Sequence, residues 1–135
     1  MIKRFLIALL LIVPLISEAQ TSGVDTLRWS VSGFRDLNTS ADVVSASEFL
    51  ISGSGKIKWI QDGGNFVIDW NITSVVGTWA DIDEVGSQTY HFADERVQGA
   101  LIASRTSTGL SMELSMTGGP SQFHLRFSVV NVQQE

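Results

Sequence analysis

Residues 48–72 read EFLISGSGKIKWIQDGGNFVIDWNI, and this stretch decides the fold. Asp62-Gly63-Gly64-Asn65 is a hairpin turn signal. Its two glycines accept the positive φ angles of a type I′ turn, and the flanking Asp and Asn tolerate turn geometry. With Gly63-Gly64 as the loop, pairing runs outward from Asp62 and Asn65. It sets Gln61 opposite Phe66, Ile60 opposite Val67, Trp59 opposite Ile68, Lys58 opposite Asp69 and Ile57 opposite Trp70. Directly opposed residues share a face, so Ile57, Trp59, Phe66, Ile68 and Trp70 form one apolar surface. Lys58 and Asp69 pair on the other face, and a one-residue slip would destroy both features.

The alternation extends upstream. Phe49, Ile51, Gly53, Gly55, Ile57 and Trp59 keep one phase, and Ser52, Ser54, Lys56 and Lys58 keep the other. Glycines at 53 and 55 fit two readings: a strand that bends to close a barrel, or a loop between two shorter strands.

Further strands flank this hairpin. Residues 27–32 alternate with Leu27, Trp29 and Val31 inward, and residues 37–41 are polar and loop-like. Residues 42–50 fit a helix capped by Thr39 or Ser40, yet Val43-Val44 and the serines are weak helix formers and favour a strand. Residues 75–82 read as a strand containing Gly77 and Trp79, 88–92 as a short strand, and 97–105 as a strand with Val97, Gly99, Leu101 and Ala103 in phase. Leu110, Met112, Leu114 and Met116 alternate with polar residues, and Phe123, Leu125, Phe127 and Val129 answer them across the loop at 118–121. Pairing outward from Thr117 and Gln122 sets Met112 against Phe127 and Glu113 against Arg126.

About eight or nine short strands joined by tight turns make an all-β chain, a single antiparallel meander. It must close into a small barrel or fold into a β-sandwich to hide its edges. The strand count and the Trp-rich hairpin resemble small lipocalin-like barrels. No family is assigned, because no motif matches residue by residue.

Residues 1–19 have the pattern of a secretory signal peptide. Lys3 and Arg4 precede an apolar run at 5–16 interrupted by Pro14, and Ser17-Glu18-Ala19 places small residues where a signal peptidase reads. Residues 20–135 then form a single all-β domain without a membrane span. Loss of residues 1–19 removes two positive charges and one negative, taking the formal charge from −5 to −6. An acidic chain with few Lys and Arg argues against nucleic acid as a partner. The chain has no cysteine, which in a small exported domain favours a bacterial periplasmic or secreted protein.

The chemistry-bearing residues form no motif with a mechanism. Asp81, Asp83 and Glu84, with Asp94 and Glu95 on a neighbouring turn, lack the glycine-punctuated loop and bidentate acid of calcium loops. His91 and His124 stand outside any zinc arrangement, so no metal or cofactor is expected. Gly53-Ser54-Gly55-Lys56 lacks the spacing of a phosphate loop, and no G-x-S-x-G elbow occurs, which argues against an enzyme. An outer-membrane barrel would need apolar residues outward and more chain than is present for eight spanning strands.

Two functions remain. One is a module that binds a small apolar ligand, lined by Trp59, Trp70 and Phe66, with Trp29, Met112 and Phe127. The other is a structural or interaction module of the bacterial envelope with a filled core, whose partner is another envelope protein. Ile60 opposite Val67, with Leu50 nearby, are its candidate contact residues.

Overall fold

The computed structural model describes residues 26–52, 55–118 and 122–135. The signal-peptide reading of residues 1–19, the Gly53-Ser54 pair and residues 119–121 lie outside these. Eight strands run in order: β1 (Thr26–Asp36), β2 (Ala41–Ser52), β3 (Lys56–Gln61), β4 (Phe66–Val76), β5 (Gly86–Ala93), β6 (Gln98–Thr106), β7 (Gly109–Thr117) and β8 (Phe123–Gln134). Each pairs antiparallel with its neighbour in sequence, and β8 returns to pair with β1 from Leu27↔Gln134 to Asp36↔Leu125. The sheet is therefore a closed up-and-down barrel, which leaves no unpaired edge.

The two hairpin registers expected from sequence are the observed ones. Gln61↔Phe66 through Ile57↔Trp70 pair as the turn dictates. The connection is a four-residue loop rather than the two-residue Gly63-Gly64 turn: Asp62 (φ 52°), Gly63 (φ 63°, ψ 20°) and Gly64 (φ 97°) all take positive φ, Asn65 (φ −72°, ψ −20°) does not, and the Asn65 N–H donates to the Asp62 carbonyl at 3.0 Å. Met112↔Phe127 and Glu113↔Arg126 pair in the last hairpin.

Residues 42–50 are extended as part of β2, consistent with their β-branched pair and serines. The stretch from Phe49 to Trp59 is not one bent strand. β2 ends at Ser52 and β3 begins at Lys56, with Gly55 (φ 106°) donating its N–H to the Ser52 carbonyl at 3.0 Å. Closure is assisted elsewhere, by register shifts between Val31 and Gly33 and between Ile72 and Ser74, where bulges increase local bend and twist.

Alternation along the strands sends apolar side chains inward. Trp29 and Val31, Phe49 and Ile51, Ile57 and Trp59, Trp70, Tyr90 and Phe92, Leu101 and Ala103, Met112, Leu114 and Met116, and Leu125 and Phe127 form one buried cluster drawn from all eight strands. Outward positions of β7 and β8 carry Glu113, Arg126 and His124, with Arg126 and His124 both bonded to the Glu113 carboxylate. This is the reverse of the order in a lipid-facing barrel.

Two expectations are corrected here. Residues 75–82 are not a separate strand: Val75 and Val76 end β4, and residues 77–85 form a loop. Gly77 adopts φ 94°, outside the range of a strand, and turns the chain away from the ladder. Asp94 and Glu95 also do not neighbour Asp81, Asp83 and Glu84. In an up-and-down barrel consecutive loops lie at opposite ends, so the 77–85 loop and the β5–β6 turn are separated by the length of β5.

Candidate functional site

The barrel interior has a filled middle and a hollow end. In the middle, Phe49 stacks on Trp59 (5.3 Å between ring centroids, 11°), and Phe127 meets both rings edge-on at 4.9 and 5.5 Å. Trp70 stacks on Phe92 at 4.6 Å and lies 6.4 Å from Trp59. Trp59 also donates its indole N–H to Ser47 Oγ at 3.0 Å. Rings packed at these distances leave no room for a guest between them.

The hollow lies at the end that carries the start of β1, the end of β8 and the β2–β3, β4–β5 and β6–β7 connections. It is a cavity of about 630 Å³, within the usual range for a small-molecule pocket. Leu27, Ile51, Ile72 and Val75 supply apolar wall, and Ser52, Gln88, Tyr90 and Gln134 supply polar groups. The 77–85 loop forms the remaining side through Trp79, Ala80, Asp81 and Ile82.

Local chemistry explains why this loop turns in. Gly77 releases the chain from β4, and Trp79 folds back against the buried Trp29, with centroids 5.8 Å apart and rings tilted 48°. Gly86 makes the space. A Cβ there would overlap the Trp79 indole, with Cγ 2.8 Å and Nε1 2.9 Å away. The Trp79 N–H donates to the Glu84 carbonyl at 2.8 Å, and Arg105 Nε donates to the Ile82 carbonyl at 2.7 Å, tying the loop to β6.

The polar lining is mostly neutral. Tyr90 donates its O–H to Gln88 Oε1 at 2.6 Å, and burial pushes the phenol up to about 12, so it stays protonated across the physiological range. Asp81 is the one acidic residue among the described residues of the lining, and its carboxylate accepts the Asp83 N–H at 2.9 Å in a tight local turn. Behind Trp79, the Trp29 Nε1 is the one buried side-chain polar atom among the described residues that has no hydrogen-bond partner.

Of the six residues expected to line a ligand site, none borders this cavity. Trp29, Trp59, Trp70, Met112 and Phe127 belong to the packed core, and Phe66 is 56% exposed. Phe66 does pair opposite Gln61, but at the last rung before the turn no further layer covers it. Of the residues that do border the cavity, Trp79 carried the one readable signal, its place two residues after Gly77.

Elsewhere the chemistry is sparse. No group of three or more His, Asp or Glu among the described residues could hold a metal ion. Asp94 caps its own turn, its Oδ1 accepting the Arg96 and Val97 N–H groups at 2.8 and 3.0 Å. On the outer wall Ser115 faces His124 across the β7–β8 ladder, and His124 Nε2 lies 3.0 Å from Glu113 Oε2. This set resembles a nucleophile–base–acid series only in composition. The ladder already engages the local backbone N–H groups, so nothing there forms an oxyanion hole. A shallow depression nearby is bordered by Thr73, His91 and Ser115.

The fold and site together define an eight-stranded barrel with an aromatic core and a cavity at one end. No protein-family model, no curated protein and no solved structure matches the chain.

Proposed function

We propose that this protein is a non-enzymatic binding barrel that holds one small, largely apolar molecule in its end cavity. The observation that carries the reading is the combination of a filled middle with a hollow end. A chain whose rings pack closely at the barrel centre leaves about 630 Å³ open beneath a loop anchored by its own tryptophan. An apolar molecule entering that space removes the exposed parts of Leu27, Ile72 and Trp79 from water, at about 25 cal/mol per Å² of apolar area buried. The leader-like residues 1–19 and the absence of cysteine support a periplasmic or secreted location in a bacterium.

Native mass spectrometry of the protein purified gently from its own envelope tests the reading. A discrete excess mass that disappears on denaturation is the expected result and identifies the ligand class. Bare mass, together with failure of added apolar molecules to bind, contradicts it.

A second reading, an interaction module for another envelope protein, is supported by apolar side chains exposed at the opposite end. Val44 is 95% exposed, and Phe66 and Val67 are 56% and 45% exposed beside the β3–β4 turn. Ile60, opposite Val67, extends that surface along the barrel wall.

A further inference from the structure

The cavity lining carries hydrogen-bonding groups without a cation. Ser52, Gln88, Tyr90 and Gln134 are uncharged, Tyr90 remains so at neutral pH, and no Lys, Arg or His among the described residues borders the space. Arg105 reaches the loop, but its Nε is spent on the Ile82 carbonyl and its side chain is not part of the lining. Among the described lining residues Asp81 carries the one formal charge, a negative one, and it is solvent-exposed with its carboxylate already accepting the Asp83 N–H.

The Tyr90–Gln88 pair is directional. The phenol O–H is given to Gln88 Oε1, which orients the amide and leaves Gln88 Nε2 with two N–H groups that have no acceptor among the described residues. A half-buried donor of this kind favours a ligand that supplies an acceptor oxygen, because otherwise its desolvation is uncompensated.

We infer that the cavity selects an uncharged amphiphile, a molecule with an apolar body and a neutral oxygen acceptor such as an alcohol or carbonyl, and discriminates against the matching carboxylate. The apolar body lies along Leu27, Ile51, Ile72 and Trp79, and the acceptor meets the Gln88 amide. A carboxylate entering the same space loses its hydration shell and meets no cationic side chain among the described lining residues. An alkylammonium meets the same desolvation cost, and the exposed Asp81 is too well screened to offset it. The inference rests on the reading of the cavity as a ligand site.

Calorimetric titration of the purified protein with 1-decanol, decanoate and decylammonium at neutral pH tests it, since the three share a chain and differ in head group. Decanol is expected to bind, and both ions to bind at least about tenfold more weakly. Gln88→Leu is expected to weaken decanol by about tenfold, the scale of a lost hydrogen bond that leaves an unpaired group. Decanoate binding as tightly as decanol overturns the inference and leaves the cavity reading standing. Loss of that binding in Arg105→Gln would then name Arg105 as the anion's partner. Decylammonium binding more tightly than decanol, with the gain removed by Asp81→Asn, overturns it equally. If none of the three binds, the cavity reading itself fails. The comparison among probes on the unaltered protein stands even where a variant does not fold.

Discussion

The Trp79 indole occupies the space that a side chain at residue 86 would need. A Cβ on Gly86 would overlap the Trp79 ring, and that ring in turn lies 5.8 Å from Trp29 at the hollow end of the barrel. A single absent side chain thus lets a surface loop send a tryptophan inward and wall the cavity.

Gly86→Ala is therefore expected to drive Trp79 out of its seat. The change should cost about 1–3 kcal/mol, the usual scale of overpacking, and shift tryptophan emission to the red as the indole meets water. Denaturant unfolding and emission spectra of the variant measure both. An unchanged spectrum would show that Trp79 keeps its place by other means.

Truncations at the two tryptophan sites should separate packing from binding. Trp59→Ala opens a hole in a close-packed aromatic cluster and is expected to cost about 3–5 kcal/mol, with little direct effect on the cavity. Trp79→Ala removes a half-buried ring that borders the cavity, so it should cost less stability and change decanol affinity more. Unfolding curves and calorimetry on both variants give the comparison. Equal effects on binding would place the ligand elsewhere.

Stability should fall in acid through the carboxylates of the outer wall. The hydrogen bond from His124 holds the Glu113 carboxyl below its usual range, helped by Arg126 and opposed by partial burial. Asp42 is lowered by its bond to Arg35, Asp94 by the Arg96 and Val97 N–H groups, and Glu135 by Arg28. A folded-state value below the unfolded one contributes stability that is fully present above the unfolded value. That contribution is lost as pH falls through the folded value, so melting temperature should decline below about pH 4.5. Glu113→Gln should lower the melting temperature at neutral pH and flatten the acid slope. A slope unaltered in the variant would assign the acid sensitivity to the other carboxylates.

The hairpin registers were legible in the sequence because two independent signals agreed. Gly63-Gly64 set the turn, and the phase of Ile57, Trp59, Ile68 and Trp70 required the same pairing. Barrel rather than sandwich was not legible, since it depends on β8 finding β1 across the whole chain, and alternation within a strand carries no record of that partner. Phe66 shows a related limit. Alternation gives the face of a residue but not its height along the barrel, and at the rim an inward-phase ring has nothing above it. The 77–85 loop was hidden because Val75, Trp79 and Ile82 look like strand residues. What makes Trp79 a cavity wall is the empty Cβ position at Gly86, a non-local fact.

The location of the ligand is tested most directly by an amide and indole chemical-shift titration of the protein with 1-decanol. The expected shifts fall on Leu27, Ile51, Ile72, Gln88 and Tyr90 and on the Trp79 indole N–H, which leaves or rearranges its bond to the Glu84 carbonyl. Shifts concentrated on Trp59, Trp70 and Phe127, or on the outer residues Val44, Phe66 and Val67, would contradict a binding site at the hollow end.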